Sequence, residues 1–84
     1  MIFEKVTEIL SELSMKDSIT EESTLQAELA LDSLLMVTLL IELEERFEIE
    51  LDESDMNPFD LVTVRDVIHL IEKYKGDEDN EENN

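Results

Sequence analysis

Cysteine is absent from this chain, and that absence decides how so short a polypeptide can hold a shape. Eighty-four residues make one domain with a modest core. Chains of this size are usually braced by disulfides or a bound metal. Without Cys there is neither a disulfide framework nor a thiolate metal site, and the single His, His69, excludes an imidazole cluster. The route left is well-packed helices. The same absence fits a reducing compartment, and a cytoplasmic location is expected.

Apolar spacing supplies those helices. Ile2, Phe3, Val6, Ile9, Leu10 and Leu13 share one helical face over residues 2–13, with Glu4, Lys5, Glu8 and Glu12 opposite. Residues 14–30 form a long connection with turn signals at Ser18, Thr20, Ser23 and Thr24. Leu25 and Leu29 predict an irregular helical turn there. Together with Ile19 and Leu31, they predict an ordered loop packed across the helices. A second helix, capped by Asp32, runs to Phe47. After an extended link at Glu48–Leu51, Asp52–Met56 makes a single turn, ended by Asn57-Pro58. The last helix starts near Thr63, in a capping box with Asp66. Its core stripe is Val64, Val67, Ile68, Ile71 and Tyr74, and Gly76 terminates it. Residues 1–75 are thus one all-α domain, and 76–84 an acidic tail without an apolar residue, expected to be disordered. The longest uninterrupted apolar stretch, Leu34 to Val37, is far short of the roughly 20 residues that span a bilayer. Met1-Ile2-Phe3-Glu4 has no basic start or apolar signal core, so no export signal is expected.

The second helix carries more apolar surface than a small bundle can bury. Met36, Leu39, Leu40, Leu43 and Phe47 make one broad stripe. Leu34, Val37 and Ile41 make another, offset around the axis, and Leu35 adds to the total. Part of this surface is expected to face solvent as a partner site.

Charge excludes whole classes of partner. The chain has 24 acidic against 6 basic residues, a net charge of −18. Nucleic acid needs a basic footprint, and an anionic membrane needs the same. Basic protein surfaces are the natural partners, unless the charge serves solubility alone. Self-repulsion predicts a fold stabilised by added salt or divalent cations.

The residues give little basis for catalysis. His69 sits in the last helix beside Ile68 and Leu70, as a surface or boundary residue. Asp52, Glu53 and Asp55 lack the glycine-containing calcium loop, so they hold at most a loose hydrated cation, and no metal site is expected. A single Gly rules out a glycine-rich phosphate loop. Ser33 differs by position. A first-turn serine lies near unpaired backbone amides and the positive end of the helix dipole, which favours a phosphate by about 0.3–1 kcal/mol. Position alone leaves two readings open: an ordinary first-turn residue, or a point of attachment.

The Asp32-Ser33-Leu34 motif, preceded by Leu29, opens a helix that ends Leu43-Glu44-Glu45-Arg46-Phe47. Ile49-Glu50-Leu51, the acidic Asp52–Met56 segment and Thr63-Val64-Arg65-Asp66-Val67 follow in order. Over residues 2–75 this resembles an acyl carrier protein of the phosphopantetheine-binding family. The resemblance implies a small four-helix bundle with a long first loop and a short third helix. It implies a 4'-phosphopantetheine arm on Ser33, taken from coenzyme A by a phosphopantetheinyl transferase, with Asp32 as motif residue and helix cap. The arm's thiol would carry an acyl group as a thioester, and the chain would be a non-catalytic carrier. Its monomeric form would present Leu34, Val37, Ile41, Glu42, Glu44, Glu45 and Glu48 to acyl-processing enzymes with basic docking surfaces. An aminoacyl or peptidyl carrier is the alternative within the family, and an unmodified acidic interaction module the alternative outside it. Two departures stand out. Ala30 sits where the family often has Gly, and Leu35 and Thr38 occupy places that are often acidic in fatty-acid carriers. The second departure points to polyketide, secondary lipid or aminoacyl chemistry. Leu40, Leu43, Ile68 and Ile71 either line a space for an acyl chain or fill an ordinary core.

Overall fold

A computed structural model describes residues 2–76. It contains three α-helices: α1 (Ile2–Ser14), α2 (Ser33–Phe47) and α3 (Val64–Lys75). Two 3-10 turns, η1 (Glu53–Asp55) and η2 (Pro58–Asp60), lie between α2 and α3. Helix α1 packs against both other helices, and η2 lies against α2. The acidic tail expected beyond Gly76 falls outside the described residues.

The predicted stripes form the core. Val6, Ile9 and Leu10 of α1 meet Met36, Leu39, Leu40, Leu43 and Phe47 of α2 and Val64, Val67 and Ile71 of α3 in one buried cluster. Leu40, Leu43, Ile68 and Ile71 are all part of it. Each such side chain contributes about 1.5–3 kcal/mol on burial. That outweighs an exposed ion pair, worth about 0–1 kcal/mol. Surface pairs therefore set geometry more than stability here.

The long first connection is ordered, as its apolar residues predicted. Leu25, Leu29 and Leu31 are buried in the core. Thr24 and Thr63 form an isolated antiparallel bridge. On either side of it the Leu25 amide donates to the Val62 carbonyl at 2.9 Å and the Val64 amide to the Ser23 carbonyl at 3.0 Å. Arg65 fastens the same junction through Glu21 at 3.1 Å and Glu22 at 2.7 Å. Arg46 joins α2 to α1 through Glu12 at 2.7 Å and also holds Glu42 of its own helix at 3.1 Å.

Helix ends follow local chemistry. The Thr63–Asp66 capping box opens α3, and Gly76, at φ 72°, closes it. The Thr63 and Val62 amides donate to Asp66 and hold its carboxyl below the usual carboxylate range. Helix α1 ends at Met15, at φ 64°, and α2 ends at Glu48, at φ 55°, both left-handed without glycine.

The expected short third helix is replaced. The segment holds two separate 3-10 turns, so the bundle among the described residues has three α-helices. Pro58 offers no amide and disfavours helix at Asn57, which is extended at φ −87° and ψ 105°. Asp52 and Asn57 each accept an amide two residues ahead, from Ser54 and Phe59, which closes a tight turn instead of a longer helix. Tyr74 then anchors η1: its hydroxyl donates to Asp55 and accepts from the Asp52 amide at 2.8 Å. Lys73 adds an ion pair to Asp55 at 2.9 Å. Both contacts hold the Asp55 carboxyl below its ordinary range. Asp52 and Asp55 are thus committed to their own neighbours. Among the described residues no cluster of three or more side chains suits a metal ion.

Candidate functional site

The Asp32-Ser33-Leu34 tripeptide stands on the surface between two buried anchors. Leu31 is buried before it and Met36 after it. The approach is fixed by backbone bonds. The Leu29 amide donates to the Thr24 carbonyl and the Leu31 amide to the Leu25 carbonyl, both at 3.0 Å. Between them Ala30 takes a left-handed conformation, φ 57°. This bend lets Leu29 and Leu31 both point inward and turns the chain out at Asp32.

Asp32 is the N-cap of α2, as expected. Its backbone is extended, at φ −80° and ψ −179°. Its Oδ1 accepts the Leu35 amide at 2.8 Å, and its carbonyl accepts the Met36 amide at 2.9 Å. Ser33 is the first helical residue and is exposed. Its hydroxyl therefore lies at the positive end of the α2 dipole, beside first-turn amides that have no carbonyl within the helix to bond. A phosphate ester at this atom meets favourable partial charge and open solvent. The carboxylate of Asp32 opposes it mildly by like charge.

The α2 face expected to meet partners divides more finely than the sequence indicated. Leu34 is 73% exposed, Val37 45% and Ile41 46%, so the second apolar stripe does face solvent. The four glutamates are not equivalent. Glu42 is held by Arg46, and the Oε2 of Glu44 accepts the Leu51 amide at 2.8 Å. Glu45 and Glu48 are exposed. At 100° per residue, Leu34, Val37, Ile41 and Glu45 fall within about 80° of one another, on one line along the helix, and Glu48 follows as its left-handed cap. Thr38 is half-buried, and its hydroxyl donates to the Leu34 carbonyl at 3.0 Å, which removes its polarity from the surface. Leu35 is partly buried against the core.

Sequence reasoning missed two exposed apolar residues. Phe59, on the turn packed against α2, is 58% exposed, and Val62, just before α3, is 57% exposed. The available signal was their lack of a place in any helical stripe. His69 is exposed on α3, as a boundary residue should be. No helix among the described residues is long and apolar enough to cross a membrane.

Comparison with known proteins gives the family. Residues 4–71 match the family described as the phosphopantetheine attachment site. An acyl carrier protein of Borreliella burgdorferi is 43% identical over 77 residues, which cover 89% of this chain and 94% of that protein. One from Thermotoga maritima is 39% identical, covering 89% and 93%. One from Clostridium perfringens is 40% identical over 75 residues, covering 87% and 96%. The family model spans most of the chain, and the similarity to these relatives runs nearly end to end in both partners. This chain therefore belongs to the acyl carrier proteins, the family built around a phosphopantetheine attachment site.

Proposed function

We propose that the chain holds acyl intermediates as thioesters on a 4'-phosphopantetheine arm linked through the Ser33 hydroxyl. The observation that carries this reading is Ser33 itself: an exposed hydroxyl at the first position of α2, presented between the buried Leu31 and Met36. Family membership supplies the prosthetic group, and the residues present suit it. The first-turn amides and the helix dipole favour its phosphate, while Asp32 fixes the helix start without occupying the Ser33 hydroxyl. When bound, the group supplies a thiol for thioester formation, which a chain without cysteine cannot supply itself. The protein's own part is to present the arm and be recognised. Nothing in its side chains needs to act as acid, base or nucleophile toward the cargo, so it serves as a carrier, in the cytoplasm and as a monomer.

The α2 face beside Ser33 is the proposed meeting place for the transferase and the acyl-processing enzymes. Leu34, Val37 and Ile41 would give apolar contact, with Glu45 and Glu48 offered to basic groups. Glu42 and Glu44 play a lesser part because they are held internally. The uncharged first half of α2 favours a specialised lipid or polyketide assembly line over housekeeping fatty-acid elongation.

Intact mass after incubation with coenzyme A and a broad-specificity phosphopantetheinyl transferase tests the carrier reading. The mass should rise by one phosphopantetheine, and Ser33→Ala should abolish the rise. No gain with a competent transferase favours an unmodified interaction module. Elongation of the loaded chain by fatty-acid synthase enzymes at housekeeping rates would overturn the specialised assignment.

A further inference from the structure

The segment that delivers the chain to Ser33 hangs from the start of α3. Among the described residues, the hydrogen bonds that leave Thr20–Leu31 for other parts of the chain all go to residues 62–65. The Leu25 amide donates to the Val62 carbonyl at 2.9 Å, and the Val64 amide to the Ser23 carbonyl at 3.0 Å. Leu25 passes this register on, because its own carbonyl accepts the Leu31 amide at 3.0 Å, just ahead of Asp32-Ser33. The start of the segment is held by one side chain. Arg65 donates to Glu21 through Nε at 3.1 Å and to Glu22 through Nη2 at 2.7 Å, and its amide donates to the Glu21 carbonyl at 2.9 Å. Acids crowd this junction. Glu28 accepts the Thr24 amide at 2.9 Å and Asp66 the Thr63 amide at 3.1 Å, on the two halves of the Thr24–Thr63 bridge. Among the described residues Arg65 is the only Lys or Arg paired with any of these carboxylates. Without it, like charges face one another around the bridge, in a chain already at −18. The fold itself does not rest on this contact. Leu25, Leu29 and Leu31 are buried, and an exposed ion pair adds little to stability.

Resting on the carrier reading above, we infer that Arg65 is a positioning residue for the loading of Ser33. Its guanidinium is spent on Glu21 and Glu22, not on Ser33. It fixes the register of the segment on α3, and the segment fixes where the serine stands. In loading, the Ser33 oxygen bonds to the phosphorus that carries pantetheine and the pyrophosphate bond of coenzyme A breaks. Adenosine bisphosphate leaves, and the hydroxyl proton passes to a base of the transferase. Such a displacement needs the attacking oxygen in line, and a misplacement of about 1 Å can cost about a hundredfold in rate. A segment loosened at Glu21 and Glu22, yet still anchored by its leucines, loses less, about tenfold.

The test is steady-state loading of the full chain by the same broad-specificity transferase, with kcat and KM for the carrier measured separately. Arg65→Ala should lower kcat about tenfold, with KM and the urea midpoint close to the parent's. Arg65→Lys, which keeps the charge without the two-pronged grip, should recover part of the loss. The bridge offers a rescue. Thr24 and Thr63 form a non-hydrogen-bonded antiparallel pair, whose Cα atoms sit about 4.5 Å apart, a span that suits a disulfide. In a chain without Cys, Thr24→Cys/Thr63→Cys makes one unambiguous cross-link. Added to Arg65→Ala, the cysteine pair should restore kcat when oxidised and not when reduced. Acetyl-coenzyme A, its thiol masked, is the donor, so that it does not exchange with the disulfide. Circular dichroism checks that each variant is folded, and Arg65→Gln takes the place of Arg65→Ala if the alanine variant is not. The inference is overturned if the folded variant loads at the parental kcat, if its loss lies in KM alone, or if oxidising the cysteine pair restores nothing. Its failure differs from failure of the carrier reading: in the first case the parent still gains the phosphopantetheine mass, in the second it does not.

Discussion

Ala30→Gly should make this protein more stable. Ala30 is exposed, so the substitution removes no buried surface. Its φ of 57° places a Cβ-bearing residue in the left-handed region, between the buried Leu29 and Leu31 that force it there. Left-handed helical backbone costs an L-residue with a Cβ about 1–2 kcal/mol. Glycine relieves that cost but gains unfolded-state freedom, which takes back about 0.4–1 kcal/mol. From the middle of both ranges the net stabilisation is about 0.8 kcal/mol, or about 3–6 °C in Tm for a domain of this size. Thermal melts by circular dichroism and urea titration at one pH and salt concentration give the answer. The expected result is a higher Tm and a higher denaturation midpoint with an unchanged m-value. A midpoint equal to or below the parent's would refute the argument that strain at Ala30 is real and unrelieved. Ala30→Val serves as the opposite control, because a β-branched residue at positive φ should lower the midpoint.

Other outcomes follow from the same structure. Thr63→Ala removes one arm of the capping box that opens α3 and should cost about 1 kcal/mol, read as a lower urea midpoint. Asp52, Asp55 and Asp66 all have folded pKa values below their ordinary 3.8. A lowered folded value gives stability that is present above 3.8 and is lost as pH falls through the folded values. Melting temperature should therefore fall as pH drops below 3.8 and through the folded values of these three carboxyls. Asp66→Asn should flatten part of that acid limb. Raising NaCl from about 0.01 M to about 0.3 M should raise Tm, since screening relieves the net charge of −18 more than it weakens a few exposed ion pairs. A flat salt titration would contradict this.

What could be read from sequence was local chemistry. The Asp32 cap, the Thr63–Asp66 box, the Gly76 stop and the three apolar stripes all depend on residues within a few positions of each other. The exposed Leu34, Val37 and Ile41 line was legible for a related reason: α2 had too many apolar residues for one buried face. What escaped was set by contacts distant in sequence or by backbone geometry. Glu44 is taken by the Leu51 amide and Tyr74 by Asp55, 19 positions away. Arg65 reaches back to Glu21 across 44 positions. No periodicity reports such partners, so the glutamates of α2 looked equivalent when two of them are held. The short third helix was expected from resemblance, but Pro58 and two side-chain caps divide that segment into separate turns. Ala30 was noticed as a departure, yet only its φ explains what the departure costs.

The central claim is that Ser33 bears the arm, and the most direct test is to locate it. The full chain, loaded from coenzyme A by the transferase, is digested and each serine-containing peptide is read by tandem mass spectrometry. Phosphopantetheine is expected on the peptide containing Ser33 and on none containing Ser11, Ser14, Ser18, Ser23 or Ser54. An arm on any other hydroxyl, or none with a transferase that loads a control carrier, would contradict it.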